Sequence, residues 1–220
     1  MSRKFSLIKD PHVEGENVFK KDCITIKDGV TVLVGCNGIG KTSLIKEIKR
    51  ELKKEEIPFV LFDNLNDGGS NARSASCFRG DFSFLAESMC SSEGENIVLN
   101  IMHIAKNLKR FIETGISKDF LPENEKVVNN ERWILFDAVD SGLSIDNIID
   151  LKEGLFKTIL ENSYRKDIYI IVSANEYEMA NGEKCFDVYN GEYINFDNYE
   201  EYRKMIIESR DIKDKRNNKE

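Results

Sequence analysis

The sequence predicts an α/β fold, with a mainly parallel central sheet flanked by helices, N-terminal strands ahead of it and a β-hairpin near the C-terminal end. Three observations carry this. Continuous apolar runs such as Trp133-Ile-Leu-Phe and Ile168-Tyr-Ile-Ile-Val have the pattern of parallel strands buried on both faces. Segments with apolar residues at helical spacing alternate with them. A glycine-rich stretch from Gly35 to Thr42 joins a strand to a helix, and the carboxyl ends of such strands are where open α/β sheets take their ligands.

Taken in order, a short apolar segment Phe5–Ile8 and a polar stretch precede Cys23-Ile-Thr-Ile-Lys-Asp-Gly-Val-Thr-Val-Leu-Val-Gly. This reads as two strands broken at Lys27-Asp28-Gly29. From Lys41 to Glu55, Leu44, Ile45, Ile48 and Leu52 recur on one face of a helix, and Pro58 follows its end. Phe59-Val-Leu-Phe is a buried strand, then Asp63–Asp81 is a long polar loop of the kind that carries function. Ser83 to about Glu113 reads as helical, with Ile97, Ile101, Ile104, Leu108 and Ile112 on one face and a break at residues 91–95. A polar insert, Thr114–Glu131, leads to the strand at Trp133. Ser144–Ser163 is an amphipathic helix with Asp146 favourably placed in its first turn, and Asp167–Val172 is another buried strand. Phe186-Asp-Val-Tyr and Glu192-Tyr-Ile-Asn-Phe flank Asn190-Gly191, the signal for a two-residue type I′ hairpin turn.

Length and composition bound the rest. With 220 residues, 40% hydrophobic and 32% charged, the chain fits one folded domain over residues 1–208, followed by a charged tail, 209–220, expected to fray. No apolar run approaches the roughly 20 residues that cross a bilayer, and the N-terminal residues lack the apolar core of a secretory signal, so the expectation is a cytoplasmic protein without a membrane partner. Five cysteines without a Cys-x-x-Cys, and His12 and His103 far from them, argue against a disulfide framework or a zinc site. A net charge of −7 excludes a generally basic coat. A nucleic-acid partner would then need a local groove, for which Lys106, Lys109 and Arg110 are candidates, although a solvated helix face is the plainer reading of those three.

Gly35-Cys-Asn-Gly-Ile-Gly-Lys41-Thr42 satisfies G-x-x-x-x-G-K-[ST], and it lies between a strand and a helix as that motif requires. Glycines let backbone N–H groups turn toward a phosphate, and the helix N-terminus adds its positive end. Lys41 would reach the β and γ oxygens and Thr42 would offer its hydroxyl to Mg²⁺. The candidate binding set is Gly35, Asn37, Gly38, Ile39, Gly40, Lys41, Thr42 and Ser43, and the fold class is that of a P-loop NTPase. Such a site usually needs a carboxylate on another strand end beside the metal, and Asp137, directly after Trp133-Ile-Leu-Phe, has that position. Thr42 and Asp137 are therefore the metal-side candidates. Phe5 and Phe19 precede the loop and could stack on a base, but core packing is the plainer reading.

With these residues in view the chain resembles the ATP-binding cassette class, in its soluble SMC/RecF-like branch. The segment from Asp22 to Leu44 is similar to that family's strand, turn and strand followed by G-x-N-G-x-G-K-[ST]-[ST]-L, Asn37 included. Ser91-Ser-Glu-Gly-Glu95 resembles the L-S-G-G-[QE] signature, although taken alone it is equally a capping box. Asp137-Ala-Val-Asp-Ser-Gly-Leu-Ser resembles a Walker B strand end running into the D-loop. The resemblance implies ATP and Mg²⁺ as cofactors and a nucleotide-dependent head-to-tail homodimer, with Ser92 and Gly94 of one subunit reaching the γ-phosphate held by the other. It also suggests a context in DNA repair, recombination or a phage or mobile-element process, with a nucleic acid or protein partner.

Three departures bear on hydrolysis. The family's catalytic glutamate position is Ala138; the switch histidine position falls on Asn175; and the sequence contains no glutamine, so the usual Q-loop residue is absent. Asp140 is the candidate substitute base beside Asp137, and Asn64, Asn66, Arg73 and Arg79 in the polar loop are weaker candidates for the metal shell and phosphate. The stretch from Lys41 to Ser92 has no room for a long coiled coil or for a transporter ATPase's full helical subdomain. The expectation is a weak ATPase or nucleotide switch. The alternatives are a non-hydrolysing, nucleotide-gated scaffold and a P-loop kinase acting on a nucleotide or nucleic-acid end.

Overall fold

The computed structural model describes residues 1–7, 18–63, 108–121, 129–163 and 166–217. Its strands are β1 (Ser2–Ser6), β2 (Cys23–Lys27), β3 (Gly29–Val34), β4 (Phe59–Asp63), β5 (Glu131–Asp137), β6 (Asp167–Ser173), β7 (Lys184–Asp187) and β8 (Glu192–Ile194). The helices used below are α1 (Lys41–Lys54), α2 (Ile145–Asp150), α3 (Lys157–Glu161), α4 (Tyr177–Ala180) and α5 (Tyr199–Asn217), and residues 108–114 are also helical.

The main sheet has six strands in the order β4-β5-β6-β3-β7-β8, parallel except for β8, which pairs antiparallel with β7 at the edge. The expected α/β fold with a mainly parallel sheet is thus present. β1 and β2 form a separate antiparallel pair with Phe5 opposite Ile24, so the turn at Asp28 carries the chain from one sheet into the other.

The apolar runs are buried on both faces, as their composition demands. On one face Val30, Val32, Val34, Ile134, Phe136, Ile170 and Val172 meet Leu108, Phe111, Ile148, Phe156 and Tyr202 from the helices. On the other, Leu33, Trp133, Leu135, Tyr169 and Ile171 meet Leu44, Ile45, Ile48 and Leu52 of α1 and Phe5, Ile24 and Ile26 of the small sheet. Trp133 stacks on Tyr169 with ring centroids 4.0 Å apart and an interplanar angle of 2°, and Phe5 meets Trp133 edge-on at 5.1 Å. Phe5 and Phe19 are both buried in this layer, so both are core residues. Lys109 and Arg110 are exposed beside buried Leu108, the arrangement of a solvated helix face.

Three expectations are corrected. The segment 144–163 is not one regular α-helix: Ser144 opens α2, a π-helical stretch follows over Leu151–Phe156, and α3 completes it. The amphipathic pattern shows where a helix lies but not where its hydrogen bonds lengthen by one residue. The hairpin turn is longer than the two residues Asn190-Gly191, because Asp187 pairs with Glu192 and four residues lie between them. Asp187 explains this. Its carboxylate accepts hydrogen bonds from the N–H groups of Tyr189 (2.9 Å) and Asn190 (3.1 Å) and from the Asn190 side chain (2.7 Å), an Asx-type turn that outcompetes the tighter one. Gly191, at φ 67°, takes the left-handed position that closes it. Finally, the charged stretch from Ser209, expected to fray, continues α5 as far as Asn217, and Ser209 is buried.

Candidate functional site

The ends of β3, β5 and β6 define a cleft of about 220 Å³ lined by Asn37, Gly38, Gly40, Lys41, Thr42, Ser43, Asp137, Ala138, Ser173 and Asn175. The strand order explains why these residues meet. β6 lies between β3, which feeds the glycine loop, and β5, which ends in Asp137. Whatever stands at the end of β6 must therefore fill the gap between loop and carboxylate. That residue is Ser173.

The loop itself is built on glycine. Gly40 immediately precedes α1 at φ 124°, and a Cβ there would lie 2.5 Å from Val18 Cγ1. Only glycine allows both the backbone angle and the close approach of the Val18–Phe19 segment. Lys41 follows as the first residue of α1 and is buried. Its ammonium donates to the Gly35 carbonyl at 2.6 Å and lies 3.4 Å from that of Cys36. Burial pushes its pKa down, against the attraction of the Asp140, Cys36 and Asp137 side chains. In this form the lysine bridges its own loop, in the position from which it would meet an incoming anion.

Thr42 faces the cleft and its hydroxyl donates to Asp137 Oδ1 at 3.1 Å. The Ser173 hydroxyl donates to the same oxygen at 2.7 Å and accepts the N–H of Ala138 at 2.7 Å. The structure thus brings the two metal-side candidates Thr42 and Asp137 together and adds Ser173, which no local motif marks. The pair suits a small hard cation: six-coordinate Mg²⁺ with bonds of about 2.0–2.1 Å sets neighbouring ligand oxygens about 2.9 Å apart. Among the described residues no group of three or more His, Cys, Asp or Glu side chains could hold a metal ion.

Ala138 stands where a proton acceptor was absent from the sequence, and its backbone is left-handed at φ 55°. It lines the cleft without an ionisable or hydrogen-bonding side chain of its own. Asn175 also lines it. Asp140 does not. It is fully buried, and its carboxylate accepts the N–H groups of Asn175 (2.6 Å) and Glu176 (2.8 Å), with the Asn175 amide at 3.4 Å. The aspartate read from the sequence as a substitute base thus lies behind the cleft, fixing the turn that presents Asn175.

Burial raises the Asp140 pKa above its ordinary 3.8, against the pull of those backbone hydrogen bonds. A raised folded-state value means that its contribution to stability is present below pH 3.8 and is lost as pH climbs through the folded value. The melting temperature of Asp140→Asn, relative to the unchanged protein, should accordingly rise as pH is taken from 3 toward 6. A difference that falls over that range would show that the hydrogen bonds, not burial, dominate, and a difference independent of pH would show that the two cancel.

Ser92, Gly94, Asn64, Asn66, Arg73, Arg79 and Lys106 lie outside the described residues. The size argument drawn from the Lys41–Ser92 stretch falls largely on the same segment.

No protein-family model matches this sequence, and no curated protein matches it. Solved structures do. At 13% identity and a TM-score of 0.50, over 87% of this chain and 86% of the other, it is similar to cbiO1 from Clostridium perfringens, part of the ABC transporter complex cbiONQ. It also aligns with a nucleotide-free ATP-binding cassette from an ABC transporter (16% identity, 94% of each chain, TM-score 0.46). A third alignment is with the ADP conformation of MJ1267, an ATP-binding cassette of an ABC transporter (15% identity, 95% and 97%, TM-score 0.44). The first of these likenesses shows that the chain shares the fold of that ABC transporter component.

Proposed function

We propose that the protein binds ATP with Mg²⁺ in the cleft at the ends of β3, β5 and β6, pairs head-to-tail with a second copy when ATP is bound, and works as a weak ATPase or nucleotide switch. The observation that carries this is the convergence of Lys41, Thr42 and Asp137 on one cleft, with the Thr42 hydroxyl 3.1 Å from Asp137. Gly38, Gly40 and the start of α1 would cradle the phosphates with backbone N–H groups. Lys41 would exchange the Gly35 carbonyl for β and γ oxygens, and Thr42 with Asp137 would hold the metal, which supplies charge neutralisation on the phosphate oxygens. Ser173 keeps the carboxylate turned toward Thr42. Ser92 and Gly94 would complete the γ-phosphate site from the second subunit, and a nucleic acid or protein that senses closure would be the output, in a DNA repair, recombination or mobile-element setting of the SMC/RecF-like kind.

Ala138 favours a second reading in which ATP gates assembly and is not hydrolysed, because an alanine can neither take a proton nor orient water. Transport belongs to the proteins named above and is not carried over. Among the described residues no helix is long and apolar enough to cross a membrane, which suits a cytoplasmic, soluble role.

Calorimetric titration with ATP, with and without Mg²⁺, tests the binding. Saturable one-site heat that strengthens with Mg²⁺ is expected for the unchanged protein, and loss of that Mg²⁺ dependence for Asp137→Asn. No heat in either condition would rule the reading out.

A further inference from the structure

The glycine loop is held from behind by the C-terminal helix. Ser209, Lys213 and Arg216 lie on the stripe of α5 that begins at Tyr202 and continues through Met205 and Ile206, at helical spacing. The Ser209 hydroxyl accepts the N–H of Cys36 at 2.9 Å and donates to Ile206 O at 2.8 Å. Lys213 Nζ lies 3.4 Å from the Asn37 carbonyl. Arg216 reaches the Gly38 carbonyl at 3.0 Å, that of Ile39 at 3.5 Å and that of Val18 at 3.4 Å. Nearer the start of the helix, the Tyr202 hydroxyl donates to the Asn175 carbonyl at 3.1 Å.

Together with Lys41, which serves the carbonyls of Gly35 and Cys36 from inside the loop, these contacts give every carbonyl from residue 35 to residue 39 a cationic partner. This has two consequences. The carbonyls of Asn37, Gly38 and Ile39 meet α5, and a cation on each stabilises the loop's shape before any ligand arrives. The same cations add positive potential behind the anion site without entering it. Beyond Ser209 no side chain of α5 is fully buried, and Lys213 and Arg216 supply polar contacts from its last two turns to the loop.

We propose that Ser209, Lys213 and Arg216 are positioning residues for the phosphate loop, and that the C-terminal helix, though outside the cleft, sets how tightly the loop binds a nucleotide polyphosphate. This rests on the ATP-binding reading above. By reciprocity, ATP tightens the helix onto the loop as much as the helix tightens the loop onto ATP.

The test titrates ATP with Mg²⁺ into the full chain and into K213A/R216A, R216K and K215A, with the melting temperature of each taken without nucleotide. Lys215 is exposed on the same turn and carries the same charge, so K215A reports general electrostatics alone. Expected are affinity about tenfold weaker for K213A/R216A, recovery of part of that loss in R216K, no change in K215A, and unchanged nucleotide-free melting temperatures. In S209A the Cys36 amide should exchange faster with solvent, a readout independent of ATP. K213A/R216A binding ATP as tightly as the unchanged protein would overturn the proposal, as would K215A weakening binding equally. A fall in melting temperature with unchanged affinity would reduce α5 to a structural support and overturn it too. If the unchanged protein itself binds no ATP, the ATP-binding reading fails and this one with it, an outcome visible before any variant is compared.

Discussion

Replacing Ala138 by glutamate should raise phosphate release from ATP by about a hundredfold, since a positioned general base contributes on the order of 10²–10⁴. The backbone can accept the change. Ala138 already carries a Cβ at φ 55°, and its N–H stays tied to Ser173, so a side chain without β-branching adds no new backbone strain. Ala138 lines the cleft along with Asn175, and a carboxylate there would be placed to act on a water next to a bound phosphate. The check is a single-turnover measurement with ATP affinity recorded in parallel. Turnover that stays at background while ATP still binds would mean that more than the base is missing, and Asn175 would then be the next position to restore.

Removing the Lys41 ammonium should have the other large effect. In Lys41→Met the ligand loses a charged hydrogen-bond partner, of the class worth about 1.5–3 kcal/mol, which corresponds to ATP binding weaker by between about tenfold and a hundredfold. The fold should survive, because a cost and a gain are lost together. A buried ammonium no longer has to be desolvated, while the carbonyls of Gly35 and Cys36 lose a donor. Melting temperatures close to those of the unchanged protein, with the affinity loss seen by calorimetry, are the expected pair of results. Undiminished affinity would place the phosphates elsewhere.

The parts of this account that were legible in the sequence are those whose chemistry is local. Gly35 to Thr42 needs only its own neighbours to form a strand, a loop and a helix start, and Asp137 is marked by the apolar run that ends in it. Ser173 was not legible, because its role exists only once β6 is placed between β3 and β5, and strand order is set by packing across the whole sheet. Asp140 was misplaced for a related reason. Three residues past Asp137 it looks like a neighbour of the reacting centre, but the turn after β5 carries it inward to the backbone of Asn175 and Glu176.

α5 shows the limit from the other side. Its docking side chains beyond Ile206 are Ser209, Lys213 and Arg216, and a stripe of polar residues at helical spacing reads as solvent-exposed unless the surface opposite is known. Here that surface is a row of carbonyls, which apolar side chains could not satisfy. The Asn190-Gly191 turn failed more simply, because Asp187, three residues before Asn190, offers a competing set of hydrogen bonds.

The central claim is an ATP-gated pairing of two copies with hydrolysis slowed by Ala138. Light scattering of the protein without nucleotide, with Mg-ADP and with Mg-ATP, with phosphate release assayed in the same samples, tests it most directly. The account predicts a monomer in the first two conditions, a dimer in the third, and little phosphate released while the dimer persists. A monomer that binds Mg-ATP and stays a monomer would contradict it and remove Ser92 and Gly94 from the site.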